Sequence, residues 1–468
     1  MRLSYGLVPL LCFAAATPAA AQAQAAAPAN PQASTAEPVD PQAATAEPAD
    51  AAALPAADVS ANQATDSASA SGPDIFSRNT ITVLLDGRLA LANGERSWTD
   101  GGFGKTRFQG NADRDYRAYA VPVEAALIWT PRFTDSLTAS VSTAWQRDQE
   151  HAVDLLEAFV SYLPAQKGKV GFGVRAGLMW PEISLEHTTG GAWSTVNTLT
   201  PSAINAWVGE EVKVVGVEGT VRASLGQHDF ALTGAAFGFD DTAGTLLSFR
   251  GWALHDEKAT AFGHIPLPPP NQFIGEVQQD KTRSLIEIDK RVGFYGRLEW
   301  RPPLPLGAAL FYYDNRGDPQ AFEETGQWGW RTRFWNLGVN ADLGPNTRLL
   351  AQGMTGSTIM GFKIAGRRWV HTEFRSAFVS LTQTLTDKAA LTGRIESFRT
   401  HETGSEMSPD ESEHGWSTTV ALRYNIRDNL TGFAEALNVR SRRGVRTRIG
   451  LDPFQAQTVF QLGLRFRI

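Results

Sequence analysis

The last eleven residues, Thr458 to Ile468, alternate between the two faces of an extended chain without a break. This period of two predicts a strand with one apolar and one polar face. An open sheet edge carrying such an apolar face invites aggregation, whereas a closed barrel in lipid requires it. We therefore predict an all-β fold, a transmembrane antiparallel β-barrel whose last strand turns these residues to lipid: Phe460, Leu462, Leu464, Phe466 and Ile468.

The same alternation recurs along the chain from Pro73 onwards. It is clearest at 170–180 and 286–300, and it also marks 81–91, 121–129, 137–145 and 156–162. Several of the apolar faces end in tryptophan, where barrels carry interfacial anchors. These tryptophans are Trp129, Trp145, Trp180 and Trp300.

The connections between alternating segments are of two kinds, and their order predicts the strand number. Seven are short and rich in Pro, Gly, Asn or Asp: 130–135, 164–169, 226–229, 301–307, 344–346, 386–388 and 427–429. Eight are long: 92–115, 147–152, 181–211, 240–282, 315–330, 361–368, 401–414 and 440–455. Short turns on one side and long loops on the other are typical of outer-membrane barrels. The order predicts about sixteen strands, or eighteen if Thr245–Leu254 pairs with Phe103–Gln109.

The first 72 residues differ from the rest. Arg2, the apolar run from Leu3 to Ala16 and an Ala-x-Ala site predict a secretory signal peptide over 1–23. Residues 24–72 are rich in Ala and Pro, repeat a decapeptide and contain no aromatic residue, which predicts a disordered periplasmic segment. The barrel is predicted over 73–468. Cys12, the one cysteine, would leave with the signal peptide.

Composition excludes other classes. A formal net charge of −6 argues against a nucleic-acid partner. Beyond the N-terminus the chain has no apolar run long enough for a membrane-spanning helix, which leaves strands as the spanning elements.

Sixteen strands leave a water-filled lumen, so the inward side chains become candidate pore-lining residues. Their signs are mixed, which fits either charges that brace one another or a selective ring facing the solute. The candidates are Arg88, Glu124, Glu157, Arg175, Glu218, Arg222, Glu287, Asp289, Arg291, Arg297, Glu299, Arg394, Glu396, Arg423 and Arg465.

Two long loops carry apolar residues that need burial. The loop 181–211 either folds into the lumen and narrows it or packs over the rim. In the first case its constriction candidates are Glu182, Glu186, His187, Glu210 and Glu211. The loop 240–282 contains the stiff run Pro266–Pro270, which suits a plug or lid.

Together these features resemble a Gram-negative outer-membrane porin, and Val174–Glu186 resembles the strand-to-loop junction of the phosphate-selective porin O/P family. The resemblance implies a homotrimer in the outer membrane, with a loop folded into each pore and small hydrophilic solutes or ions diffusing passively through. It also implies contact with outer-membrane lipid and lipopolysaccharide. The apolar face of the last strand would be the signal read by the barrel-assembly machinery, with Ile468 in place of the usual terminal aromatic residue.

Two other functions stay open at this stage. A barrel enzyme of the lipase or protease type needs a nucleophile or acid pair with a positioned histidine, and none of the eight histidines lies in a known catalytic motif. A closed structural or adhesive barrel is the other alternative. We predict no catalytic residue, no metal site and no cofactor.

Overall fold

The computed structural model describes residues 72–166, 168–188, 191–405 and 411–468. Within them, sixteen antiparallel strands form one closed barrel. The predicted signal peptide (1–23) and the Ala- and Pro-rich segment (24–72), apart from Gly72, lie outside the described residues.

The barrel strands follow one another around the wall, with a long excursion between β7 and β10. Their bounds are β1 Ile81–Ala92, β2 Arg117–Trp129, β3 Leu137–Gln146, β4 Asp154–Tyr162, β5 Val170–Met179, β6 Val214–Leu225, β7 His228–Gly238, β10 Gly293–Arg301, β11 Leu306–Asp314, β12 Arg331–Gly344, β13 Thr347–Ile364, β14 Arg367–Thr384, β15 Ala389–Glu402, β16 Glu413–Arg427, β17 Leu430–Arg443 and β18 Phe454–Arg467. Two short strands, β8 Ile265–Pro266 and β9 Lys281–Thr282, pair outside the wall in a sheet of their own.

The prediction of sixteen strands is confirmed, and all seven predicted short turns connect strands at one end of the barrel. The eighteen-strand alternative is wrong because Thr245–Phe249 forms a helix, α2, inside a long loop. The predicted long connection 361–368 is also wrong. β13 extends to Ile364, β14 begins at Arg367, and the two strands meet in a tight turn where Gly366 takes a φ of 83°.

The last strand closes the barrel by pairing with the first. Asp86 lies opposite Arg465, and Leu91 lies opposite Phe460. Phe460, Leu462 and Leu464 are 46%, 58% and 55% exposed on the outward face, while Gln461 is buried on the inward face. The pairing therefore leaves no strand edge free, and the face assignment of the last strand is as predicted.

An apolar band surrounds the outside of the barrel. Exposed aliphatic residues occur at outward positions on most strands, which is the surface that a membrane-spanning barrel presents to lipid. They include Leu89, Leu127, Val160, Val174, Val217, Leu232, Leu298, Leu310, Leu337, Val379, Ile395, Val420 and Leu462.

Strand irregularities change two predicted faces. The register of β1 against β2 shifts by one residue between Asp86 and Gly87, which places Val123 in a bulge. Val121 and Val123 consequently pack inward against Phe108, although the alternation predicts them outward. Trp180 follows β5 and is buried against Trp193, so it is not an interfacial anchor.

Helices occur in the long loops. They are α1 Ala203–Glu211, α2 Thr245–Phe249 and α3 Gln272–Val277, with 3-10 turns at Trp98–Asp100 and Gly444–Ile449. No helix among the described residues has the length and hydropathy needed to cross a membrane.

The outward band leads to a first prediction. Leu464→Arg should reduce the yield of folded barrel and lower the free energy of unfolding by about 2–4 kcal/mol if the position is near the bilayer midplane. The control is Ala231→Arg, since Ala231 is a partly buried inward position opposite Glu299. Equal losses in the two variants, measured by denaturant titration in lipid vesicles, would contradict the face assignment.

Candidate pore and lumen loops

Two long connections fold into the barrel and contact inward-facing wall residues, from Glu413 near the long loops to Arg465 near the short turns. We call residues 180–213 the first lumen loop and residues 239–292 the second lumen loop. Every residue of α1 and of α2 is buried. The Ser202 side chain caps α1 by accepting from the Asn205 amide, and the Glu211 carboxylate accepts from the amides of Gly244 and Leu246 at the start of α2. Glu211 therefore joins the two helices to each other.

An aromatic cluster lies between the two lumen loops and the barrel wall. Trp207 of α1 is 1% exposed, and its ring lies 5.3 Å from Phe334 of β12 and 5.3 Å from Phe374 of β14, centroid to centroid. Trp252 of the second lumen loop completes the cluster at 6.0 Å from Trp207. Side chains of two loops and two strands thus form a packed core where an unobstructed porin would hold water.

Ion pairs attach the first lumen loop to the wall. Arg394 of β15 is fully buried and donates to Glu186 Oε1 at 2.6 Å. It also donates to the carbonyls of Thr200 and Pro201. The same Glu186 carboxylate accepts from Ser202 and Asn205. Glu186 is therefore a structural anchor of the loop rather than a charge facing the lumen.

The second lumen loop is attached through charges of both signs. Asp256 accepts from Arg88 of β1 at 2.5 Å and from Arg107 of the β1–β2 loop at 3.3 Å. Lys258 donates to Glu124 of β2. Each wall charge thus meets an opposite charge from a loop, which compensates for the cost of burying it.

Of the other constriction candidates, most are also buried in contacts between the loops. Glu210 forms a bidentate pair with Arg250, with oxygens 2.7 and 2.6 Å from the two guanidinium nitrogens. Glu211 caps α2 as described above. His187 stacks on Trp193 at 4.4 Å and bonds Ser184 Oγ at 2.8 Å.

Glu182 differs from these residues because its side chain is partly exposed. Its carboxylate lies 3.5 Å from Arg175 of β5, which also binds Glu218 of β6 at 3.0 Å. Arg222 and Arg297 are the next cations within electrostatic range of the same carboxylate. Glu182 therefore lies where the first lumen loop meets Arg222 and Arg297, two wall residues that are partly exposed.

The inward face toward the short turns carries a further set of cations, which we call the turn-end arginines. Arg222 and Arg423 are half-buried without a salt bridge in the described part of the chain, and the Arg423 Nε has no hydrogen-bond partner there. Arg297 pairs with Glu299 at 2.8 Å. The set comprises Arg222, Arg297, Arg348, Arg423, Arg465 and Arg467.

The structure places most of the pore-lining candidates on inward faces. Arg88, Glu124, Glu157, Arg175, Glu218, Arg394, Glu396 and Arg465 each contact another wall residue or a lumen loop. Three candidates are wrongly assigned to a strand: Glu287, Asp289 and Arg291 lie in the second lumen loop, because β10 begins at Gly293. The alternation of polar residues over 287–291 occurs in a loop and not in a strand. This loop is held by the Asp241 carboxylate, which accepts hydrogen bonds from the amides of Ile288 and Asp289.

Sequence reasoning missed several residues that organise the lumen. Lys105 and Arg107 of the β1–β2 loop reach inward, where Lys105 pairs with Glu413 of β16 and donates to the Arg250 carbonyl at 3.2 Å. Arg348 of β13 was not among the inward charges. The run His255-Asp256-Glu257-Lys258 is the available signal, since four consecutive charged or protonatable residues need partners when the loop that carries them is buried.

The attachment of the first lumen loop can be tested at Glu186. Glu186→Ala removes one partner of a buried ion pair and leaves Arg394 undercompensated, so the free energy of unfolding should fall by about 3–5 kcal/mol. Glu182→Ala in the same loop should cost much less because Glu182 is partly exposed. Denaturant titration compares the two, and a similar loss in both would contradict the anchoring role of Glu186.

The second lumen loop should be pH-sensitive at Asp241. Burial, with Asp289 and Glu287 nearby, raises the pKa of Asp241 from 3.8 to about 7. The folded protein then holds a proton that the unfolded chain releases, so stability falls as pH rises from about 4 to about 7. The free energy of unfolding, measured by denaturant titration, should be lower at pH 8 than at pH 5. Asp241→Asn should remove this difference, and an unchanged pH dependence would refute the assignment.

Comparison with known proteins gives structural likeness only. No family model and no curated protein sequence matches the chain. Among solved structures, an anion-selective porin from Comamonas acidovorans is 10% identical, with a TM-score of 0.49 over 85% of this chain and 100% of that one. The outer membrane channel DcaP of Acinetobacter baumannii is 11% identical, with a TM-score of 0.49 over 86% and 99%. OmpT, an outer membrane protein of Vibrio cholerae, is 9% identical, with a TM-score of 0.47 over 84% and 100%. Likenesses this distant carry neither a substrate nor an assembly state over to this chain.

Proposed function

We propose that the chain is an outer-membrane channel of the porin type that passes small hydrophilic solutes or ions by passive diffusion, with a conductance limited by its lumen loops. The observation that carries this proposal is the inward face near the short turns. There the turn-end arginines remain partly open, and they lead to Glu182 and Arg175 at the edge of the first lumen loop. A barrel with a purely structural role has no need for unpaired cations on its inner wall.

The charge distribution supports a polar path rather than an apolar one. Arg222, Arg423 and Arg467 on the inner wall have no salt bridge within the described residues, so they can interact with anions that enter from the turn end. Farther along, Glu182 adds a carboxylate beside Arg175. We propose that Glu182, Arg175 and the neighbouring turn-end arginines form the charged constriction of the channel.

The location in the outer membrane and the orientation of the barrel are part of the same proposal. The short turns would face the periplasm and the long loops the exterior, as in other outer-membrane barrels. The outward residues Phe460, Leu462, Leu464, Phe466 and Ile468 would be available to the barrel-assembly machinery. We further propose a homotrimer, as the porin resemblance implies. The predicted signal peptide would direct export through the periplasm, and the location would bring the barrel into contact with lipopolysaccharide.

A closed structural barrel is the second candidate, and the aromatic cluster around Trp207 favours it. That core is as well buried as the interior of a soluble protein. For catalysis, the Ser184–His187 pair comes nearest to a nucleophile and base, but its hydroxyl also accepts from the Glu186 amide and its imidazole is stacked on Trp193. We assign the pair to the turn of the loop and propose no catalytic role and no cofactor.

Single-channel recording in planar bilayers tests the channel. The wild-type protein should give steps smaller than those of an unobstructed sixteen-strand barrel, because the buried helices of both lumen loops lie inside it. Trp207→Ala/Trp252→Ala removes the aromatic cluster without touching a strand, and should raise the conductance or the open fraction. Trp416→Ala is the matched control, since Trp416 is 44% exposed on the outer face.

The outcomes separate the two candidates. Steps in the wild type that grow in the double variant support the channel. A silent wild type together with a silent double variant, both shown to be folded by their resistance to unfolding in detergent, would overturn it and favour the closed barrel.

A further inference from the structure

Cations on the outer face of the barrel form a row that the channel does not use. Arg375 of β14 lies opposite Arg399 of β15, Arg399 opposite His414 of β16, and His414 opposite Arg442 of β17. All four side chains are exposed. We call these four residues the outer cation row. Arg375 and Arg399 are like charges directly opposite each other on neighbouring strands, so they repel and destabilise the wall unless an anion binds them.

The barrel itself supplies no such anion. Within the described strands the outward-facing acids are Asp314 and Glu373. Asp314 is buried and already binds Arg331 at 3.1 Å. Glu373 is exposed two residues before Arg375 on the same face of β14, but it forms no salt bridge with it. No residue of the outer cation row has an acidic group within salt-bridge distance in the described part of the chain. Its charges are therefore left for something outside the barrel.

A groove in the wall runs along the same surface. It has a volume of about 790 Å³ and includes Arg375, Arg399 and His414 in its lining. Trp335 and Trp416 lie at the two sides of the groove. Gly353 and Ala377 lie between them, and their small side chains leave the groove deep. Toward the short turns the outward face becomes apolar, with exposed Leu337, Val379, Ile395 and Val420. The groove thus joins a cationic end to an apolar end.

We propose that the outer cation row and its groove bind a phosphorylated, acylated lipid of the outer leaflet. The phosphate would lie against Arg375 and Arg399, with His414 beside them, and an acyl chain would follow the apolar wall past Leu337. Guanidinium groups match phosphate oxygens in pairs, and indole rings favour the level of lipid headgroups. The site rests on the proposed membrane setting but not on channel activity.

Charge complementarity favours lipid over a second copy of the chain as the occupant. An identical barrel presents only Asp314 and Glu373 as outward acids on its described strands. Asp314 is buried and already paired with Arg331, so the single carboxylate of Glu373 would face three arginines. The row also lies at the long-loop end of the apolar band, which is where the headgroups of the surrounding leaflet meet the wall.

The test uses full-length protein in nonionic detergent and measures binding of lipid A. Arg375→Gln/Arg399→Gln should weaken binding by roughly tenfold or more, since two charge-assisted contacts are lost. Arg375→Lys/Arg399→Lys should retain part of the affinity. The control Arg117→Gln/Arg367→Gln removes two exposed arginines at the same end of the barrel but outside the row, neither in a salt bridge within the described residues, and should bind nearly as the wild type does.

Further measurements distinguish a lipid phosphate from free phosphate, and a lipid from a second copy of the chain. Dephosphorylated lipid A should bind the wild-type protein weakly, and inorganic phosphate at millimolar concentration should not displace lipid A. Equal binding by the Gln variant and the wild type would overturn the proposal. So would full displacement by free phosphate, or an oligomer that dissociates in the Gln variant while lipid binding is unchanged. Because binding is measured without current, silent channels would leave this result intact.

Discussion

The pairing of β1 with β18 is the constraint on which the rest of the structure depends. It closes the sheet, so every strand finds hydrogen-bond partners on both sides, as a wall in lipid requires. Closure also gives each strand an inside and an outside. Polar side chains such as Asp86 and Arg465 then meet across the seam on the inner face, while Leu91 and Phe460 meet on the outer one. One register therefore determines both the lumen chemistry and the lipid-facing surface.

A sixteen-strand interior is too wide for wall side chains to fill, and here two loops pack into it. The loops bring their own apolar core, centred on Trp207, and enough charge to compensate the wall, as in Arg394 with Glu186 and Arg88 with Asp256. Burying a charge without a partner is costly, so these pairs hold the loops in one place. The mixed signs of the inner wall consequently reflect attachment of the loops more than selection of a solute, except near the short turns.

Much of the fold follows from local chemistry that can be seen in the sequence. Alternation and turn residues predict the strands, and connection length predicts the strand number, because these signals depend on residues that are neighbours in the sequence. The face that a bulged residue takes and the contacts that a loop makes depend on residues far away in the sequence. Val123 turns inward because one extra residue shifts β2, and Glu287 looks like a wall residue because a loop can alternate too. Glu186 was predicted to line a constriction, yet its role is set by Arg394, more than 200 residues away.

Arginine thus has two different roles in the barrel. Against the lumen loops, as at Arg394 and Arg88, it is paired, buried and structural. Among the turn-end arginines Arg222, Arg423 and Arg467 have no salt bridge within the described residues, and the arginines of the outer cation row are likewise unpaired there and exposed. An unpaired cation does not stabilise the wall and repels neighbouring cations, so we propose that these two places meet anions from outside the chain. In the proposed function Arg423 would meet an anionic solute in the lumen, and Arg399 would meet a lipid phosphate at the outer wall.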